Sequence, residues 1–413
     1  MSQVTVAMLG ARMHYAVPRL LHEAGLLERF YTDSYIGNKP WLEAGLRAIP
    51  SGLRPAAVAR WLGRKEAVLP PSRVTSFEGL GIWYGRARSR ARTPAEHSHI
   101  AREAAQRFNS GILQQGLGHA PVVWGFNGAA LELFEAAKRQ NKICVLEQTI
   151  LPLALERRLL AEEQLRWPGW EKAPTNWAEP LALDGREEAE WTLADAIVTG
   201  SDFVRAGLIE LGVSPGKIHV IPYGVDQKRF AAPADSQRSP RAAGAPLKAL
   251  FAGEVGLRKG VPDLLEAVRD FRPGEIELRF AGGVSLRADK VAPYQSLATF
   301  LGHVSRAHMR ELFQWADVFV ISSIVEGSAT VTYEAIMAGC PVIATPNTGS
   351  IIQNGIDGFI VPIHSPQQIA AALRRYCDEP ALLPAQQHAL ADTRTLADLE
   401  RYKKDLVQLI RKL

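Results

Sequence analysis

The chain reads as an α/β protein made of two doubly wound, Rossmann-like domains. Three observations predict this: its length, short apolar runs alternating with helical patterns, and one Pro- and Ala-rich polar stretch that separates two such sets. A length of 413 residues exceeds one ordinary core and suits two domains of about 200 residues each. The composition, 47% hydrophobic and 22% charged, is that of a folded globular chain.

The first set of strands comprises VTVAML at 4–9, PVVWGF at 121–126, KICVLEQ at 142–148 and AIVTG at 196–200. The second comprises KALFAGEV at 248–255, IELRFAG at 276–282, DVFVISS at 317–323 and PVIATP at 341–346. Strands that alternate with helices argue for parallel sheets. Residues 221–248, rich in Pro, Ala, Ser and charge, read as a linker or surface crossing. The boundary is placed near Val225, giving domains over 1–225 and 226–395. The last segment, LADLERYKKDLVQLIRKL at 396–413, is amphipathic at helical spacing and suited to packing back on a domain, the N-terminal one included. Two such domains leave a cleft at the carboxyl ends of their strands, where open α/β sheets bind ligands.

Composition narrows the setting. Cys144, Cys340 and Cys377 are odd in number and far apart, which fits a reducing compartment better than a disulfide framework. The N-terminus runs straight into strand-like sequence, so no secretory leader is read there. The longest uncharged stretch, 109–131, is interrupted by glycines, a proline and amides, which makes it a poor membrane span. The net charge of +5 is uneven: residues 1–120 hold 16 Lys plus Arg against 8 Asp plus Glu. A cytoplasmic protein, in places peripheral to the inner membrane face, is expected.

Two junctions carry candidate chemistry. In VEGSATVTYEAIMAGCP at 325–341, a buried strand gives way to a turn and a helix from about Ala329 to Ala338, stopped by Gly339 and Pro341. Gly327, Ser328 and Ala329 would leave first-turn N–H groups open to a phosphate. Glu326 precedes the helix and Glu334 lies inside it. Each carboxylate can accept two hydroxyl hydrogen bonds, as from a vicinal diol, so the pair suits a ligand that alternates diol, phosphate and diol. The alternative is a helix-capping Glu326 and a solvated Glu334. In FAGEVGLRKGVPDLLEAV at 251–268, Arg258 and Lys259 sit at a strand-to-helix junction, an arrangement suited to a diphosphate.

With these pieces in order, the C-terminal half resembles the donor domain of glycosyltransferase family 4, retaining enzymes of the GT-B fold that use UDP-, GDP- or ADP-sugars. The matching segments are GLRKGVPDLLEAV, ELRFAGG, LGHVSRAHMRELFQWADVFVISS, EGSATVTYE, EAIMAGCPVIATPNTGS and NGIDGFIVP, preceded by LADAIVTGSDFVRAGLIELGVSPGKIHVIPYGVD; together they span about 190–380. The resemblance implies that Glu326 contacts donor-sugar hydroxyls and Glu334 the ribose. It implies that Arg258 and Lys259 neutralise the leaving diphosphate, helped by the N–H groups of Ser328, Ala329 and Thr330, and that the backbone at Val304 lies near the base. It also implies same-face attack, with a leaving phosphate oxygen taking the acceptor proton. The sequence departs from the family at Glu254, where many members have arginine, leaving Arg258 to supply that charge. It departs again in VLEQTILPLALERR at 145–158, where many members carry a histidine and this chain has none. Glu147 and Gln148 are the acceptor-side candidates there.

The N-terminal domain says less. Its first strand ends in a turn at Gly10, a candidate donor contact, and Arg12 and His14 read as ordinary loop residues. The run YGRARSRARTP at 84–94 places Arg86, Arg88, Arg90 and Arg92 within seven residues. These suit an anionic membrane surface or a lipid-linked phosphate acceptor, or else a solvated basic loop; little aromatic interleaving argues against nucleic acid. No two aspartates are separated by a single residue, so no metal and no cofactor beyond the nucleotide-sugar substrate is expected. The expected function is a retaining hexosyltransferase acting on a hydroxyl acceptor, such as a lipid-linked or cell-surface glycan precursor. A phosphorylase or nucleotide-sugar epimerase on the same fold, or a binding-only relative, are the alternatives.

Overall fold

In a computed structural model, which describes residues 3–50, 53–171, 183–227, 241–242 and 244–413, the chain forms two parallel sheets. The N-terminal sheet has seven strands: β1 (Val4–Met8), β2 (Leu27–Thr32), β3 (Val74–Ser76), β4 (Val122–Phe126), β5 (Ile143–Gln148), β6 (Ala196–Thr199) and β7 (Ile218–Val220). Their spatial order is β3-β2-β1-β4-β5-β6-β7. The second sheet holds β8 (Leu247–Ala252), β9 (Ile276–Ala281), β10 (Ala298–Gly302), β11 (Val318–Ile321), β12 (Val342–Ala344) and β13 (Gly358–Ile360), in the order β10-β9-β8-β11-β12-β13. In each sheet the strand order reverses beside its first strand, and open α/β sheets form a crevice at that switch point. The linker residues 228–240 and 243 lie outside the described residues.

The central strands read as apolar runs because helices cover both of their faces. Every residue of β1, β4 and β11 is buried, so no polar face is needed. Five strands lack such a run. β3, β7 and β13 are three residues long and, unlike the equally short β12, only partly buried, so no apolar run marks them. β2 carries Glu28 and Arg29, and β10 is a half-exposed edge. The uncharged stretch 109–131 is divided between the end of the helix Pro94–Gln115, a turn and β4. Among the described residues, no helix is long and apolar enough to cross a membrane.

The final helix, Leu399–Lys412, buries Tyr402, Leu406, Leu409 and Ile410. It lies on the N-terminal domain: Lys403 pairs with Glu23 at 3.0 Å, and the Tyr402 ring stands edge-on to Tyr223 at 5.8 Å. Just before it the chain pairs with the segment leaving the first domain, Val225 N–H donating to the Ala397 carbonyl at 2.9 Å and Leu399 N–H to the Val225 carbonyl at 3.3 Å.

The two domains touch across the cleft. Leu151, Leu155 and Leu160 form one apolar cluster with Ile324 and Val325. Arg166 grips Asp263 with two hydrogen bonds at 3.3 and 3.2 Å, and the Leu257 N–H donates to Glu171 at 2.9 Å. Ser201 Oγ donates to the Gly327 carbonyl. Gly327 is required at this contact: a Cβ there would overlap the Thr149 carbonyl oxygen and stand 2.7 Å from its carbon.

Candidate functional site

The chemistry gathers where β8 and β11 end. After β8 a 3-10 turn, Leu257–Lys259, is closed by Gly260 at φ +61°, a left-handed conformation that glycine adopts without strain. Ser322 Oγ donates to the Gly260 carbonyl at 2.8 Å, and the Ile324 N–H donates to the Arg258 carbonyl at 2.9 Å. These bonds lace the turn to the loop after β11. Three charges are thereby brought together. Arg258 Nη1 lies 3.1 Å from Glu326 Oε1, and Lys259 Nζ pairs with the same oxygen. Lys259 is buried; burial pulls its ammonium below the ordinary value, with Glu326 opposing that pull.

The helix after this loop runs Thr330–Met337, with no side-chain cap. Its start differs in one respect from the expected open amide cradle. The Ala329 N–H is spent on the Thr348 carbonyl at 3.1 Å, so Ala329 does not offer a donor to a ligand. Ser328 Oγ shares a hydrogen bond of 2.6 Å with the Tyr333 hydroxyl and bonds the Gly349 carbonyl at 3.1 Å. Glu334, on the same helix, borders a second cavity of about 720 Å³ together with Thr330, Arg310, His14 and Arg19. Val304 is half-buried against the C-terminal core.

Across the cleft a cavity of about 450 Å³ opens in the N-terminal domain, bordered by Gly10, Arg12, Asp33, Arg64, Arg88 and Glu156 among others. Gly10, at φ +99°, donates its N–H to Asp33 at 2.8 Å, and Arg64 pairs with the same carboxylate at 2.9 and 2.8 Å. Gly10 thus borders this cavity and not the one beside Glu334. Met13, His14 and Tyr15 take three successive left-handed conformations, at φ 45°, 52° and 62°. Such backbone persists only where its surroundings hold it. The turn directs Arg12 toward the N-terminal cavity and His14 toward the Glu334 cavity.

The architecture can be set beside known structures. Anabaena HepE, solved in complex with UDP and glucose, superposes with a TM-score of 0.61 at 12% identity over 100% of both chains. Sucrose-phosphate synthase from Thermosynechococcus elongatus superposes with a TM-score of 0.69 at 17% identity, over 100% of this chain and 99% of that one. The chain has the GT-B fold. Within its C-terminal GT-B domain, residues 246–379 match the family model Glycosyl transferases group 1. A D-inositol 3-phosphate glycosyltransferase of Xylanimonas cellulosilytica is 31% identical over 214 residues, 47% of this chain and 51% of that protein. A putative glycosyltransferase of Bacillus subtilis, EpsD, is 31% identical over 207 residues, 46% and 53% of the two chains. The chain spans about half the length of the curated relatives it matches.

Two residues expected on the acceptor side of the GT-B cleft are held elsewhere. Glu147 is buried and accepts from Trp124 Nε1 at 3.1 Å. Gln148 is buried between Trp191, which donates to it at 3.0 Å, and Glu187, to which it donates at 3.1 Å. Both belong to the inside of β5, because the apolar run that made the strand legible is covered on both faces. The basic run is helical and not a loop: Arg86, Arg88 and Arg90 lie on the helix Glu78–Arg90, with Arg92 just beyond it. Helical spacing puts Arg88 on one face with Gly81, Tyr84 and Gly85, and these four border the N-terminal cavity. The sequence reading did not single out Glu156. Its signal was available in VLEQTILPLALERR, a polar residue one turn into the helix Leu153–Arg166 that follows β5.

Burial pushes the carboxyls of Glu147, Glu156, Glu163 and Glu190 up to about 7. In the unfolded chain they ionise near the usual value of about 4.3, so the folded state holds extra protons between these limits. The stability they confer is present at the acid end of that window and lost as pH rises through about 7. His219 and His364, whose pKa values burial depresses, oppose this only below about 6.5. The thermal midpoint is therefore expected to fall between pH 6.5 and pH 8. Scanning fluorimetry at constant ionic strength checks this; a midpoint that rises over that interval contradicts it.

Proposed function

We propose that this chain is a retaining glycosyltransferase that moves a hexosyl group from a nucleoside-diphosphate sugar to a hydroxyl acceptor. The observation that carries the reading is the junction of Arg258, Lys259 and Glu326 at the mouth of the interdomain cleft, with Glu334 on the adjoining helix over a separate cavity. Two cations on one carboxylate form a site that a diphosphate can enter by displacing the carboxylate from them. Glu326 is then left facing the sugar, and Glu334 is placed for the ribose. Growing charge on the leaving diphosphate is met by groups already in position, and each such group lowers the barrier by roughly 3 to 4 kcal/mol. Arg258 and Lys259 supply that positive charge, so no metal is required. The relatives named above, as glycosyltransferases, support the same reading.

The acceptor belongs to the N-terminal cavity. A lipid-linked or cell-surface glycan precursor fits its basic rim, with Arg86, Arg90 and Arg92 available to an anionic membrane on the cytoplasmic side. A thermal-shift screen against UDP-, GDP- and ADP-sugars tests the donor, since bound ligand raises the midpoint with occupancy. One donor class should stabilise the protein, and product NMR should show retained anomeric configuration. Failure to bind any nucleoside diphosphate sinks the proposal; consumption of inorganic phosphate, or an epimerised donor without acceptor, replaces it with a phosphorylase or an epimerase. In the same preparation, salt-sensitive co-sedimentation with anionic vesicles is expected, and its absence removes the membrane contact.

A further inference from the structure

The helix Pro40–Arg47 is turned inside out. Glu43 is its one buried residue, held by Lys65 at 2.7 Å and by Arg47 at 2.8 Å, whereas Trp41 is 84% exposed and Ala44, Gly45 and Ala48 face solvent. A helix laid on a protein core does the reverse, burying its apolar side and exposing its carboxylates. Leu53, 78% exposed, follows at the C-terminal end, where Arg54 donates to the carbonyls of Arg47 at 3.1 Å and Ile49 at 2.7 Å. At the N-terminal end Lys39 pairs with Glu78, the first residue of the helix Glu78–Arg90. One turn further on, Ile82 is 54% exposed. These contacts bring the three apolar residues to one corner of the N-terminal domain.

Positive charge collects at the same corner. Residues 39–92 hold eleven Lys plus Arg against three Asp plus Glu, whereas the rest of residues 1–120 carries five of each. All three carboxylates are occupied, Glu43 as above, Glu66 by Arg19 at 3.6 Å and Glu78 by Lys39. Arg86, Arg90 and Arg92 make no ion pair among the described residues. Ile82, Arg86 and Arg90 recur every fourth residue and so share one side of their helix. Gly81, Tyr84, Gly85 and Arg88, on the adjoining side, border the N-terminal cavity.

A single exposed apolar residue calls for no partner. Here, however, four of the ten large apolar side chains exposed among the described residues fall within 41–82. Beside unpaired guanidinium groups they suit an anionic lipid surface, where tryptophan and leucine settle at headgroup level and arginine is attracted to acidic lipid. We propose that this corner seats the protein on an anionic bilayer, with Trp41, Leu53 and Ile82 entering the interfacial layer and Arg86, Arg90 and Arg92 against the headgroups. The inference deepens the membrane contact already given to those arginines and rests on it, but not on the reaction catalysed. The helix Glu78–Arg90 then carries the N-terminal cavity to headgroup level, so that a lipid-tailed acceptor reaches it without leaving the bilayer.

Salt separates the two parts of the contact, because the screening length falls from about 10 Å at about 0.1 M to about 3 Å at about 1 M while apolar insertion persists. The test sediments the full chain with phosphatidylglycerol–phosphatidylcholine vesicles at both ionic strengths. The wild type should bind at both, more weakly in high salt. Trp41→Ser combined with Leu53→Ser should weaken high-salt binding by about 10-fold or more and leave the thermal midpoint unchanged. Trp41→Phe should bind as the wild type does. Leu165→Ser, which removes a side chain 83% exposed from the helix Leu153–Arg166, should also leave binding unchanged. Replacing Arg86, Arg90 and Arg92 by serine should remove mainly the low-salt excess. Wild-type binding that high salt abolishes, or a double variant that binds like the wild type, overturns the apolar seat while the arginine contact stands. Failure to bind anionic vesicles at either salt overturns both. A wild-type dimer that the double variant turns into a monomer, with vesicle binding unchanged, assigns the corner to a second copy of this chain and overturns the proposal. Donor binding, read separately by thermal shift, stands or falls apart from all of these.

Discussion

Glu326→Gln is expected to lower kcat by about 10²- to 10³-fold while nucleoside diphosphate affinity holds or rises. The direction of the second effect follows from the structure. Arg258 and Lys259 are both paired with Glu326, so a diphosphate competes with that carboxylate for them. Neutralising that carboxylate frees both cations, and the diphosphate gains whatever the competition cost it. On the proposed function, turnover falls because the group assigned to the sugar no longer carries charge during bond breaking. Lys259→Met should act in the opposite sense, weakening diphosphate binding directly and leaving Glu326 with Arg258 alone. Calorimetry with UDP, GDP and ADP beside steady-state rates separates the two effects. Equal losses of affinity and rate in Glu326→Gln would mean that the carboxylate is structural.

Gly327→Ala is expected to abolish transfer without unfolding either domain. A Cβ at this position collides with the Thr149 backbone on the facing domain, and backbone cannot swing aside as a long side chain can. The collision is relieved only if the loop shifts or the domains part. Either change moves Glu326 relative to the N-terminal cavity, and displacement by about 1 Å is enough to cost on the order of 100-fold in rate. Donor binding should survive, because Arg258, Lys259 and Glu334 lie on the same domain as Gly327. Small-angle scattering should show a larger radius of gyration than the parent. Gly45→Ala is the control: a Cβ there meets nothing within 4 Å, and in the helix Pro40–Arg47 the change adds about 0.5 to 1 kcal/mol of stability. An unchanged radius and rate in Gly327→Ala would show that the closed contact is not needed.

What the sequence disclosed follows from where information is local. Strands such as VFVIS and VVWGF announce themselves because both faces are buried and every position must be apolar. The Arg258–Lys259 turn and the Glu326 loop were legible for a related reason, since each sits at a strand-to-helix junction that sequence punctuation marks. Their direct pairing was not written in either segment, because it depends on two adjacent strands ending level. The same gap hid the fate of Glu147 and Gln148. They are polar residues inside an apolar strand, and only the tertiary fold shows that Trp124 and Trp191 satisfy them. Ala329 is a third case: its amide looked open at a helix start, yet Thr348, nineteen residues on, claims it.

The pairing of Val225 with the segment around Asp398 has a mechanical consequence. The polypeptide passes between the domains twice, and the two passages run side by side, joined by backbone hydrogen bonds. A single tether would let one domain swivel freely on the other. A doubled strap resists torsion and leaves bending as the soft motion, so the jaws of the cleft open and shut along one path and bring the same residues face to face on every cycle.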